Sequence, residues 1–222
     1  MKPRRHKQLA ALWQRNCCLF LKSIKWRLVI VLFCGSFLLL IRRSQNINFV
    51  INFAGVIQIS GLFTLPINWV FLMMAPILIV GDSTRRLVRH DYLMVTSIPI
   101  NEYLRQIFTL AISMPIVWWL LNLVFGGGRI DPAFALAVLI VLIWLTIIDC
   151  VIQIFIDPII TLLICLGILI AASAINTLPI LSSAMALRYD QQSWWGLLVG
   201  LFLTVIGVKL VLRQLYRIDF LG

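Results

Sequence analysis

Long apolar blocks alternate with short polar interruptions along most of the chain. A helix needs about 20 apolar residues to cross a bilayer, and several blocks approach that length. The pattern predicts six spans: approximately 26–41, a second ending at 80, 107–125, 132–156, 158–176 and 194–212. Residues 44–60 either form an outer surface helix or begin the second span, and the sequence leaves both open.

The most polar interruption is the segment 81–106, between the second and third predicted spans. Written as a helix over 84–95, it places apolar side chains on one side, namely Leu87, Val88, Tyr92 and Val95. The opposite side carries Arg85, Arg86, Arg89 and His90. Pro99 ends this helix, and Asn101 is a candidate cap for the next one. We therefore predict a short amphipathic cytoplasmic helix held between two spans.

The first 25 residues are strongly basic and carry apolar side chains at spacings of three and four. These are Leu9, Leu12, Trp13, Cys17, Phe20 and Ile24. Such a pattern is typical of a helix that lies on the inner membrane surface. The alternative is a disordered basic tail that only fixes the topology. The predicted division is an interfacial helix at 1–25, a spanning domain at 26–212 and a cytoplasmic tail at 213–222.

Two Asp-Pro pairs mark predicted helix starts. Asp131-Pro132 precedes the fourth span, and Asp157-Pro158 precedes the fifth. Aspartate caps the free amides of a first helical turn, and proline is tolerated there because its missing N–H has no partner to lose. Gly126, Gly127 and Gly128 predict a tight outer turn just before the first pair.

Composition excludes a soluble domain. Of the 222 residues, 62% are hydrophobic and only 12% are charged, and the mean hydropathy is +1.02. Soluble domains have an apolar share of about 45 to 50%. The chain is therefore predicted to be an all-α, multi-pass integral membrane protein.

The net charge of +11 is explained by where the basic residues lie relative to the predicted membrane, so it does not indicate nucleic-acid binding. Of the 19 basic residues, 15 fall on one side of the predicted membrane and four on the other. Cytoplasmic loops carry such an excess, so both termini are predicted to be cytoplasmic. We expect contacts with anionic membrane lipid and none with nucleic acid.

Candidate chemistry is scarce. The two histidines lie in basic segments, the five cysteines have no metal-ligand spacing, and no Gly-Lys-Ser/Thr follows the three glycines. We expect no metal site, no nucleotide site and no enzymatic activity in this chain.

Asp149 is the acidic residue well inside a predicted span. A charge there is costly, so it indicates a partner, a water cavity or protonation. It is a possible intramembrane polar site for a proton or cation. Alternatively, it lines a wet inner vestibule or pairs with a neighbouring chain.

The layout resembles the membrane subunit of ABC-2-type transporters. The likeness lies in a basic amphipathic N-terminus, six spans, and the stretch Ser97-Ile98-Pro99-Ile100-Asn101-Glu102-Tyr103 leading into the third span. The basic tail around Ile218-Asp219 is similar to small permeases of peptide or bacteriocin export and immunity systems in Gram-positive bacteria.

This resemblance implies a coupling helix that docks on a separate ATPase subunit, which holds the ATP and Mg. The coupling residues would be Arg85, Arg86, Arg89, His90, Asp91 and Tyr92. It also implies a second permease subunit, identical or different, and a bacterial cell membrane. The expected function is export of a peptide or an amphipathic, lipid-like substrate. The alternative is a non-transporting immunity or scaffold protein that binds a peptide or a sensor partner.

Overall fold

A computed structural model describes residues 2–44, 53–55, 66–91, 100–126, 131–174, 179–189 and 194–215. All regular secondary structure in these ranges is helical. The helices are α1 (Lys2–Ser44), α2 (Ile67–Val80), α3 (Ser83–Arg86), α4 (Ile100–Gly126), α5 (Pro132–Phe155), α6 (Pro158–Ala174), α7 (Pro179–Ser182), α8 (Ala186–Tyr189) and α9 (Trp194–Leu215). A π-helical turn, Leu87–Asp91, continues α3.

Three helical stretches are long and apolar enough to cross a membrane: Ile67–Arg89, Glu102–Phe125 and Pro132–Phe155. The helix α6 and the part of α9 from Trp195 to Gly207 are shorter apolar helices. Several predictions lie outside the described residues: Tyr92, Val95, the Ser97–Pro99 helix end, the glycine turn beyond residue 126 and the tail beyond residue 215.

Helix α1 is continuous for 43 residues across the predicted boundary at residue 25. No glycine or proline occurs between Arg4 and Cys34, so nothing in the sequence interrupts the helical backbone there. The buried side chains Leu12, Phe20, Ile24 and Val31 form one stripe along it. Three of the apolar side chains expected to lie on a membrane surface thus pack inside the molecule instead. Asn16 reinforces this contact by donating from Nδ2 to Oε1 of Gln106 on α4, at 3.1 Å.

Helix α2 lies at the centre of the bundle and contacts α1, α4, α5 and α6. Its proline, Pro76, has no N–H, so the carbonyl of Leu72 loses the amide that would normally bond it. The indole Nε1 of Trp118 on α4 donates to this carbonyl at 3.0 Å. Trp118 is 2% exposed, so its indole belongs to the core of the bundle.

Both Asp-Pro predictions are confirmed. The Asp131 carboxylate accepts a hydrogen bond from the Ala133 amide at 2.9 Å, and the Asp157 carboxylate accepts one from the Ile159 amide at 3.0 Å. The proline of the first pair is the first residue of α5, and the proline of the second pair is the first residue of α6. Asn101, in contrast, lies inside α4, which is already helical at Ile100. The capped start at Asp157 follows α5 directly, so it forms the tight turn that joins α5 to α6.

Candidate functional site

The polar segment after α2 begins with a tight two-residue turn at Gly81 and Asp82. Gly81 has a φ of +50°, which side chains rarely adopt, and its amide donates to the Ile77 carbonyl at 2.7 Å. A Cβ atom at this position would also overlap Nη1 of Arg27, so that guanidinium would have to move. The positive φ is therefore the feature that favours glycine here.

The segment is attached to the bundle on its apolar side. Leu87 and Val88 are buried, as the helical periodicity predicts. The hydroxyl of Tyr103, itself fully buried, donates to the Leu87 carbonyl at 2.8 Å. On the other flank, the hydroxyls of Ser83 and Ser23 lie 2.9 Å apart. These contacts join the segment to α4 and α1, so it moves with the bundle rather than as a free loop.

Three arginines cap the carbonyl ends of helices. The last carbonyls of a helix have no intrahelical donor and carry the negative end of the helix dipole, so a guanidinium stabilises them. Nη1 of Arg27 donates to the Val80 carbonyl of α2 at 3.3 Å. Nε and Nη2 of Arg89 donate to the Ile154 carbonyl of α5 at 3.2 and 3.0 Å. Arg188 donates at 2.8 Å to the carbonyls of Ala172 and Ser173 on α6.

Two ion pairs join the segment after α2 to its neighbours, α1 and the α5–α6 turn. Arg27 Nη2 is paired with the carboxylate of Asp82, and Arg85 Nη1 lies 3.1 Å from Oδ2 of Asp157 in the α5–α6 turn. These side chains are between about a quarter and a half exposed, with the pair at Arg85 having values of 26% and 51%. Solvated pairs of this kind contribute about 0 to 1 kcal/mol each, so their main effect is to orient the guanidinium groups.

A cavity of about 920 Å³ lies between α1, α2, α3, α5 and α6, and we call it the arginine cavity. Its charged lining consists of Arg27, Asp82, Arg85, Arg86, Arg89 and Asp157. Its remaining walls include Gln153 and a set of apolar side chains from α1, α2 and α6. The side chain of Arg86 is exposed, and its guanidinium makes no hydrogen bond or ion pair to any described residue.

Of the six predicted coupling residues, the structure brings Arg85, Arg86 and Arg89 together on the wall of this cavity. His90 and Asp91 continue the π-helical turn, and Tyr92 lies outside the described residues. The arginines were expected to face outward towards a partner. Two of them instead bond to α5 and to the α5–α6 turn of the same chain.

Asp149 is fully buried inside the chain and is not part of the cavity wall. Its Oδ2 accepts a hydrogen bond from Nε2 of Gln153, one helical turn later, at 2.7 Å. The thiol of Cys165 on α6 lies 3.9 Å from its Oδ1. Gln153 therefore contacts both Asp149 and the arginine cavity.

Sequence reasoning missed Arg27, Tyr103 and Gln153 as contributors to the site. Arg27 has a visible signal, since it directly precedes an uninterrupted apolar run on α1. Gln153 has a weaker one, because it follows Asp149 by four residues and shares its helical face. Neither signal identifies the partner, which for Arg27 lies 55 residues away.

In the described part of the chain, no group of three His, Cys, Asp or Glu side chains is arranged to hold a metal ion. The donors that the site offers are therefore guanidinium N–H groups, which suit an anion. No protein-family model, no curated protein and no solved structure matches this chain.

Proposed function

We propose that this chain is the permease subunit of an ABC-2-type transporter, which exports a peptide or an amphipathic, lipid-like substrate. A separate ATPase subunit supplies the energy and holds the ATP and Mg, and a second permease subunit completes the transport pathway. The support lies in the segment that follows α2.

The observation that carries the proposal is the attachment of this segment. Only the two-residue turn at Gly81 and Asp82 separates α2 from α3. The Tyr103–Leu87 and Ser83–Ser23 hydrogen bonds tie it to two other helices. A force applied to its exposed face is therefore transmitted to α1, α2 and α4 together, as a transporter coupled to an external ATPase requires.

The contacts of the arginines within the chain indicate which of the proposed docking residues is free to bind a partner. Arg85 is engaged with Asp157 and Arg89 with the Ile154 carbonyl, whereas Arg86 is exposed and unengaged within the described residues. Arg86 is thus the strongest candidate for an acidic partner on the ATPase. Arg85, Arg89, His90, Asp91 and Tyr92 complete the proposed docking segment.

The proposed topology has six spans. Besides the three long apolar stretches, it uses the apolar half of α1, then α6 and α9. Large apolar side chains point away from the bundle on each of these helices, for example Phe33, Ile159 and Phe202. Lipid would cover these surfaces, since soluble proteins rarely expose contiguous apolar patches of this size. Both termini are placed on the cytoplasmic side of a bacterial cell membrane.

The test is purification of the tagged chain from its native membrane, identification of any ATPase that co-purifies with it, and measurement of vanadate-sensitive ATP hydrolysis. We expect Arg86→Glu to weaken both the association and the hydrolysis, because like charges at a contact cost several kcal/mol. Lys209→Glu on α9 is the matched control, since it makes the same kind of reversal at an exposed residue far along the chain.

Three outcomes are distinguishable in this experiment. Loss of association in Arg86→Glu but not in Lys209→Glu supports the coupling assignment. Equal association in both variants removes Arg86 from the docking surface. Failure of the wild-type chain to retain any ATPase, with a peptide or sensor retained instead, would overturn the transporter proposal in favour of an immunity or scaffold protein.

A further inference from the structure

The arginine cavity carries positive charge that its own carboxylates do not balance. Four arginines and two aspartates line it, and the aspartates are paired with Arg27 and Arg85. Arg89 bonds to a carbonyl, which is neutral, and Arg86 has no partner among the described residues. The charges of Arg86 and Arg89 are thus available to an anion that enters the cavity.

The rest of the wall is apolar and open. It includes Ile30 of α1, Leu78 of α2 and Ile159 of α6. Ile30 is 61% exposed and Ile159 is 71% exposed, so this wall faces outward from the helix bundle. A free inorganic anion gains nothing from aliphatic side chains beside it, whereas an acyl chain does.

We propose that the arginine cavity binds an anionic glycerophospholipid, with its phosphodiester on Arg86 and Arg89 and its acyl chains along the Ile30–Ile159 wall. Basic pockets between membrane helices are suited to lipid headgroups, and guanidinium groups bind phosphate oxygens through paired N–H donors. The cavity, at about 920 Å³, has room for a headgroup, its glycerol and the first part of the chains. The lipid needs no ATPase in order to bind, but it shares Arg86 and Arg89 with the proposed docking segment, and its cytoplasmic placement rests on the proposed function.

The position of the arginine cavity suits a lipid from the cytoplasmic leaflet. The arginine end of the cavity lies at the end of α2 and at the α5–α6 turn, which is the cytoplasmic side in the proposed topology. The headgroup therefore sits at the level of the helix ends, and the acyl chains run along helices that face the bilayer. Bound lipid at this position would hold α1 and α6 against the segment after α2.

The experiment uses the purified full-length chain in detergent, without any ATPase, and measures bound lipid by native mass spectrometry. The probes are phosphatidylglycerol, zwitterionic phosphatidylcholine, and inorganic phosphate as a competitor. We expect phosphatidylglycerol to bind more tightly than phosphatidylcholine, by about tenfold. Both lipids have the phosphodiester, but the quaternary ammonium of choline is repelled by the unbalanced arginines of the cavity. Inorganic phosphate at the same concentration should not displace the lipid.

Two variants test the two halves of the site. Arg86→Gln with Arg89→Gln should weaken phosphatidylglycerol binding by about tenfold or more, because two phosphate contacts lose their charge. Ile159→Ser should weaken it by removing apolar contact with the acyl chain. Ile160→Ser is the matched control, since Ile160 is the next residue, is also exposed and does not line the cavity.

The proposal is overturned if phosphatidylcholine binds as tightly as phosphatidylglycerol, which would mean non-selective lipid, or if phosphate displaces the lipid, which would mean a free-anion site. It is also overturned if Ile159→Ser and Ile160→Ser behave alike. The double arginine variant removes bonds to α5, so its folding is checked by its elution profile. If the double arginine variant is unfolded, the comparison of Ile159→Ser with Ile160→Ser still tests the proposal. Neither serine variant changes a proposed ATPase-docking residue.

Discussion

The guanidinium of Arg85 lies 3.1 Å from the carboxylate of Asp157, so the first residues after α2 are joined to the turn between α5 and α6. These two residues are 72 positions apart. The same carboxylate caps α6 through its other oxygen, which accepts a hydrogen bond from the Ile159 amide. One aspartate therefore fixes both a helix start and the position of the segment that follows α2.

Replacing this aspartate with asparagine separates its two roles. Asp157→Asn keeps an oxygen that can cap α6 but removes the charge that pairs with Arg85. We expect the free energy of unfolding to fall by about 0 to 1 kcal/mol beyond the effect on the cap, because the pair is partly solvated. Asp131→Asn is the control, since Asp131 makes the same cap without an ion pair to the described residues. Equal losses in both variants, measured by denaturation in detergent, would contradict a contribution from the pair.

Gly81→Ala is expected to destabilise the chain. The new Cβ would meet Nη1 of Arg27, and the backbone at Gly81 has a positive φ that side chains disfavour. Strain of this kind costs about 1 to 3 kcal/mol. Gly167→Ala on α6 is the control: a Cβ there meets nothing within 4 Å, and alanine is a better helix former. The expected result is a lower melting temperature for the first variant and an unchanged or higher one for the second.

Trp118→Phe removes the indole N–H that replaces the backbone amide missing at Pro76. The Leu72 carbonyl is then left without a hydrogen bond in the core, at a cost of about 1 to 3 kcal/mol. In a Pro76→Ala background, the backbone amide of residue 76 becomes available to that carbonyl, so the cost of Trp118→Phe should shrink. The measurement is a double-mutant cycle on the free energy of unfolding.

Trp119 provides the control for this cycle. Its indole donates to the Ala135 carbonyl on α5, at 2.8 Å, and has no relation to Pro76. Trp119→Phe should therefore cost the same in both backgrounds. If Trp118→Phe and Trp119→Phe are both additive with Pro76→Ala, the proline and Trp118 are not coupled through the Leu72 carbonyl.

Asp149→Asn is expected to be tolerated in stability and in any transport assay. The asparagine oxygen can still accept the hydrogen bond from Nε2 of Gln153, so that only the charge is lost. Asp149→Leu removes the acceptor and leaves the buried amide unpaired, which should cost about 1 to 3 kcal/mol. A correctly assembled Asp149→Asn protein that has lost transport would instead assign Asp149 a functional charge.

The sequence by itself determined the features that depend on neighbouring residues. The caps at Asp131 and Asp157 form because an aspartate side chain reaches the amide two residues ahead of it. The burial of Leu87 and Val88 opposite the arginines follows from helical periodicity alone. Apolar length predicted six spans, and the described residues contain three helical stretches long and apolar enough to cross a membrane.

The tertiary structure decided what the arginines bind. Positive charge beside apolar blocks indicates a membrane face, but it does not show that Arg27 and Arg89 cap α2 and α5. The orphan carbonyls lie on other helices, 53 and 65 residues away in the chain. A linear pattern carries no information on which helix end faces which side chain, because that depends on how the helices pack.

The burial of Trp118 could not be predicted from the sequence for the same physical reason. An indole is suited both to a membrane interface and to a buried hydrogen bond, so the residue type alone does not choose between them. Pro76 frees a carbonyl on α2, and the ring of Trp118 packs against Gly35 on α1, where a Cβ would lie 2.6 Å from it. Three helices have to meet before that site exists. The sequence therefore determined the starts of α5 and α6, and only the packing of the helices decided which polar groups hydrogen-bond to one another.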